Sequence, residues 1–251
     1  MKRRICAIAL VLAGAAAFGG EFSLSAGAGG LLGGFFTRYT LSADGTKDGD
    51  RIKIDAGQES DQFNYGFFAF FDATYGVFGV FYQNGANTYK ETFEVLGVDD
   101  TGPPSTGKGW ETVLGFSLLG RYPFSLNERL TVFPLLGVEY RIVLIQTRTQ
   151  PDGWVYDRAD GLRERDKDGN AYRLKDWNSM WVDLGGGADF TLAGNFFIRG
   201  ELLYGFRLMT PYEVKNLDMM KSMAGDPHPK LGGLTSGPSI RLCAGYRFSG
   251  R

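Results

Sequence analysis

The chain has 251 residues, with 27 Lys and Arg against 28 Asp and Glu, a formal net charge of -1, and 37 glycines beside 20 phenylalanines. That balance, with no basic stripe, excludes nucleic acid as a partner. No segment after the N-terminal run approaches ~18 consecutive apolar residues, so helical membrane spans are excluded as well.

Met1-Lys2-Arg3-Arg4 is a positive n-region, residues 5–13 are an apolar h-region, and Ala15-Ala16-Ala17-Phe18-Gly19 offers small residues for cleavage. This pattern predicts an export signal over residues 1–19, cut after Ala17 or Gly19, and one domain over residues 20–251. Cys6 lies at the start of the h-region, which argues against lipid attachment. Cleavage leaves only Cys243, so no intramolecular disulfide forms.

The mature chain alternates segments of apolar and polar residues with connections that are short and long in turn. Residues 22–39 form a Gly-rich first strand whose faces are not clearly marked, so its register is weakly specified. Residues 41–62 read as a long connection. Within them Asp44, Thr46, Asp48 and Asp55, with Gly49, approach a calcium-loop spacing, but Arg51 and the short Asp55 depart from it, and a solvated turn is expected.

Residues 63–72 are apolar on nearly both faces and lead through a short turn at 72–75 into a third strand over 75–83. A second long connection, 84–108, carries the crest Gly102-Pro103-Pro104-Ser105. Residues 110–122 place Leu114, Phe116 and Leu118 opposite Glu111, Gly115, Ser117 and Arg121. After a short turn at 123–129, Val132, Pro134, Leu136, Val138, Tyr140 and Ile142 oppose Thr131, Gly137, Glu139 and Arg141.

The third long connection, 147–175, interleaves Asp157, Arg158, Asp160, Arg163, Glu164, Arg165, Asp166, Lys167 and Asp168. Such mixed charge keeps a loop solvated, with Trp154, Tyr156 and Tyr172 as anchors for an extracellular partner. Asp166-Lys167-Asp168-Gly169-Asn170 misplaces its glycine for calcium and reads as a tip. Next, Met180, Val182, Leu184, Ala188 and Phe190 oppose Trp181, Asp183, Gly185, Asp189 and Thr191. A short turn at 191–195 follows.

Phe196, Ile198, Leu202, Tyr204, Phe206 and Leu208 then oppose Arg199, Glu201, Leu203, Gly205 and Arg207. The fourth long connection, 212–234, holds the sole histidine, His228, fenced by Pro227 and Pro229 with no Gly-x-Ser-x-Gly element, so no enzyme is expected. The last strand sets Ile240, Leu242, Ala244, Tyr246 and Phe248 against Ser239, Arg241, Cys243, Gly245 and Arg247.

Eight strands with alternating short and long connections predict an all-β fold, an antiparallel up-and-down transmembrane β-barrel with short periplasmic turns and long outside loops. A lipocalin-like soluble barrel would instead turn its apolar face inward. Segment length and aromatic residues at two levels favour the membrane: Phe35, Tyr39, Trp110, Trp177 and Tyr212 at one, Phe22, Tyr75, Tyr122, Phe124 and Phe196 at the other. The polar face is then a lumen in which Asp72, Glu111, Glu139, Asp183, Asp189 and Glu201 offset Arg121, Arg141, Arg199, Arg207, Arg241 and Arg247. Equal numbers of opposite sign suit a closed interior, and eight strands leave room only for side chains.

The closing stretch Leu242-Cys243-Ala244-Gly245-Tyr246-Arg247-Phe248 resembles the C-terminal strand of small outer-membrane barrels, particularly the OmpW-like group. The resemblance implies that Tyr246 and Phe248 are read by the barrel assembly machinery, and it brings an expectation of an apolar path for hydrophobic molecules. The chain departs from that group in Ser249-Gly250-Arg251 and in its charged interior. The expected protein is an integral outer-membrane barrel, in contact with membrane lipid, without cofactor or metal, with restricted passage of small or hydrophobic molecules and surface loops. A surface adhesin with an extracellular partner and a narrow gated channel are the alternatives.

Overall fold

In a computed structural model, the described residues are 23–47, 49–96, 105–149, 155–157, 164–165, 171–172, 177–208, 210, 213–214, 217–218, 221–222 and 228–248. The signal segment, Phe22, Tyr212, the Asp166 to Asn170 tip and most of the third long connection lie outside them. The barrel wall is β1 (Leu24–Lys47), β2 (Asp50–Ala73), β3 (Gly76–Leu96), β4 (Ser105–Arg121), β5 (Leu130–Thr149), β6 (Ser179–Ala193), β7 (Phe196–Arg207) and β8 (Lys230–Phe248).

Each strand pairs antiparallel with its sequence neighbours. Pairing of β8 with β1, from Leu24 opposite Phe248 to Ser42 opposite Lys230, closes the ring. Closure removes the two open sheet edges that lipid would leave unsatisfied. At the short-turn end, backbone bonds tie each hairpin to the next: Thr74 N donates to Ser23 O, Arg121 N to Tyr75 O, Thr191 N to Arg129 O and Arg247 N to Asn195 O. Thr74 takes φ of 42° there, and its hydroxyl accepts from Ser23 N at 2.8 Å.

Alternation along the strands sorts the two surfaces. Leu32, Phe67, Leu136, Leu184, Leu202 and Leu242 are exposed on the outside, while Arg199, Arg241, Glu139 and Asp189 are enclosed. Apolar outside and charged inside is the arrangement that lipid demands and water penalises. At the short-turn end an outer aromatic band forms, with Tyr75 and Tyr122 stacked at 5.9 Å and Phe196 edge-on to Tyr246 at 5.1 Å.

On the inner surface five glycines lie under phenylalanine rings. Phe70 covers Gly27, Phe68 covers Gly79, Phe81 covers Gly115, Phe133 covers Gly187 and Phe197 covers Gly245, so a Cβ at any of these glycines would strike the ring. Rings lying flat on cross-strand glycines fill a narrow lumen without forcing the wall apart.

Two expectations need correction. Residues 41–62 are not a loop, because β1 and β2 stay paired from Leu24 opposite Ala73 to Lys47 opposite Asp50. Likewise β3 runs to Leu96 and β4 begins at Ser105. A strand of 24 residues is ~80 Å long, whereas crossing a bilayer takes ~9–11 residues, so a sheet stands beyond the membrane. Its inner face alternates Leu41, Ala43 and Ile54 into a second small core with Val95, Leu217 and Leu231, while its outer face is polar. Periodicity read for lipid-facing residues stops where water replaces lipid, although the hydrogen-bond ladder continues.

The calcium spacing is dismantled by the same pairing. Asp44 accepts from Arg51 at 2.7 Å, and Asp55 pairs with Lys53 at 2.6 Å, so the acidic side chains are held along two strands. The second correction concerns the upper aromatic level. Phe35 is buried inside, 4.5 Å from the Trp181 ring, and Trp177 packs on the inner core, which leaves Trp110 outside.

Candidate functional site

The lumen carries two layers of charge. Nearest the short turns, Asp72 on β2, Arg121 on β4, Asp189 on β6 and Arg199 on β7 project inward from four strands. Arg199 donates from Nη2 to Asp72 at 2.7 Å and from Nε to Asp189 at 2.6 Å. Arg121 forms an ion pair with the same Asp72 oxygen and donates from Nε to Thr74 O at 3.0 Å. Arg247 stands at the rim, 3.9 Å from Asp189.

Toward the other end, Arg241 on β8 reaches across the lumen to Glu139 on β5. Arg141 donates to the second Glu139 oxygen at 2.9 Å. Glu201 joins the layers, its oxygens 3.6 Å from Arg241 Nη1 and 3.8 Å from Arg199 Nη1 without a direct hydrogen bond. Asp183 is buried beside this layer.

Aromatic faces complete the layers. Arg199 lies 4.3 Å from the Phe70 ring centroid, Arg241 4.4 Å from Phe68, Arg141 4.0 Å from Trp181 and Arg121 4.6 Å from Phe133. Each guanidinium thus exchanges water for a carboxylate partner and a ring over its carbon, the combination that offsets desolvation.

Glu111 and Arg207 lie apart from both layers. Glu111 accepts from Gln62 Nε2 at 2.5 Å. Arg207 pairs at 2.5 Å with Glu213, a residue absent from the sequence-based set. Thr210 N donates to Glu213 Oε2 at 2.6 Å and Glu213 N to Thr210 Oγ1 at 3.3 Å. These reciprocal bonds form a capping box, and Thr210-Pro211-Tyr212-Glu213, with proline after the cap, carries its readable signature. The helical residues 213–214, 217–218 and 221–222 follow, and Leu217 packs onto the second core. Between this cap and the charged layers remains a cavity of about 60 Å³ lined by Gln58, Gln62, Asn87, Glu111, Gln146 and Arg207, among others.

His228 is exposed near the start of β8. No His, Cys, Asp and Glu cluster suited to a metal ion occurs among the described residues. Tyr246 and Phe248 lie on the outer face, their rings 5.4 Å apart.

No family model and no curated protein matches this chain. Among solved structures it is similar to the outer-membrane protein OprG from Pseudomonas aeruginosa, at 13% identity over 91% of this chain and 96% of that one, TM-score 0.39. It is also similar to Neisserial surface protein A, at 12% identity over 91% and 98%, TM-score 0.33. The closed register, the lipid-facing exterior and the enclosed charges make the chain an eight-stranded antiparallel transmembrane β-barrel.

Proposed function

We propose that this barrel is a closed scaffold that holds a sheet and loops outside the cell, and that it passes solutes only when its internal ion pairs part. The observation that carries the reading is the pair of cross-lumen contacts, Arg199 to Asp72 and Arg241 to Glu139, in a barrel only wide enough for side chains. In this orientation the short turns and both ends of the wall are periplasmic and the capped mouth is extracellular.

Planar-bilayer recording on refolded protein tests it. Wild type passes little current, and Glu139→Ala or Arg241→Ala, which empty space and unpair a charge, raise it. A large steady wild-type current unaffected by either change refutes the closed scaffold in favour of a channel.

The sheet standing beyond the membrane favours a second reading, a surface interaction protein that uses residues 150–176 and the outer strands. Saturable binding of an extracellular partner, lost when residues 150–176 are shortened, identifies it.

A further inference from the structure

On the outer face of β1 to β4, a groove of about 680 Å³ is lined by Arg38, Glu59, Asp61, Lys90 and Lys108, with threonines between them. The register places Arg38 opposite Glu59, Glu59 opposite Lys90, Asp61 opposite Thr88 and Thr88 opposite Lys108. Arg38 and Lys90 thus flank Glu59 across two strand spacings, ~10 Å. Among the described residues Arg38 forms an ion pair with Glu59 that is long at 3.9 Å and exposed. Such a contact holds the guanidinium weakly and leaves it able to turn toward a stronger anion.

The groove ends where the lipid-facing surface begins. Trp110 lies two residues below Lys108, and Phe63 two residues toward the membrane from Asp61, ~7 Å along each strand. Below them Phe67 is 76% exposed, the most open of the large apolar side chains among the described residues. Three donor-only cations and two acceptor carboxylates therefore stand directly above an open aromatic slope on the same strands.

We propose that this surface docks a phosphorylated, acylated sugar, a glycolipid of the membrane leaflet on the loop side. Arg38, Lys90 and Lys108 meet its phosphates, Glu59 and Asp61 accept from sugar hydroxyls, and its chains lie on Phe36, Phe63 and Phe67. A protein partner would leave the aromatic slope uncovered, whereas a simple phospholipid would leave the two carboxylates without donors. The proposal does not depend on whether the lumen conducts.

The test uses the full barrel refolded with bisphosphorylated lipid A in phosphatidylcholine vesicles, extracted in detergent and weighed intact by mass spectrometry. Wild type and the control R51Q/K53Q keep bound glycolipid, while R38Q/K90Q/K108Q keeps about tenfold less. Unchanged heat-modifiable gel mobility establishes that each variant is folded. Equal retention by the triple variant, or equal retention of dephosphorylated lipid A, overturns the site. Binding of the deacylated sugar phosphate as tight as that of intact glycolipid overturns the membrane source and assigns a soluble ligand.

Discussion

Arg199 and Asp72 lie 127 residues apart in sequence and meet at 2.7 Å across the lumen, both fully enclosed. The contact joins β7 to β2, strands that share no ladder, so it braces the wall from within. Because Asp72 serves Arg121 as well, one carboxylate holds two guanidinium groups.

Asp72→Ala leaves both arginines short of a partner inside the barrel. Breaking a buried pair costs about 3–5 kcal/mol, and the urea midpoint of the micelle-folded protein, followed by tryptophan fluorescence, falls accordingly. A wild-type midpoint for this variant would show that the layer contributes nothing to stability.

Gly245→Val drives a side chain into the Phe197 ring and costs about 1–3 kcal/mol as overpacking. Phe197→Ala in the same chain restores part of the loss, so the double-mutant cycle gives a favourable coupling. Additive losses would contradict the ring-on-glycine packing.

Leu202 faces lipid and its neighbour Glu201 faces the lumen. Leu202→Arg costs about 2–4 kcal/mol if it lies near the midplane, read as impaired folding into vesicles. Insertion equal to wild type would reverse the face assignment.

Thr210→Ala removes the acceptor of the Glu213 amide and one half of the capping box. The local loss is about 1 kcal/mol, measured as faster hydrogen exchange at Val214, whose amide donates to Thr210 O at 3.2 Å. Exchange at β7 is unaffected, since the cap lies outside the ring.

At the outer hairpin, the hydrogen bond from Arg51 holds the Asp44 carboxyl below its ordinary value of 3.8. A depressed folded-state pKa contributes above the unfolded value and is lost as pH falls through the folded one. Amide protection at the tip of β1 and β2 therefore stays level from neutrality toward pH 3.8 and declines below it. In Asp44→Asn the decline due to this group disappears.

The sequence by itself determined the eight strands, the short-turn ends and the inward placement of residues such as Arg199 and Glu139. Side chains alternate with a period of two, and each strand carries its own record of lipid on one side and enclosed charge on the other. Partners were decided only in three dimensions, because nothing in the neighbourhood of Asp72 names Arg199, or of Arg241 names Glu139, until closure brings distant strands face to face. The same holds for the sheet beyond the membrane: at Gln58, Glu59, Ser60 and Asp61 both faces are polar, so alternation vanishes while β1 and β2 keep their ladder. Glu213 lay in a legible capping signature, but its pairing with Arg207 required the helix to fold back over the mouth.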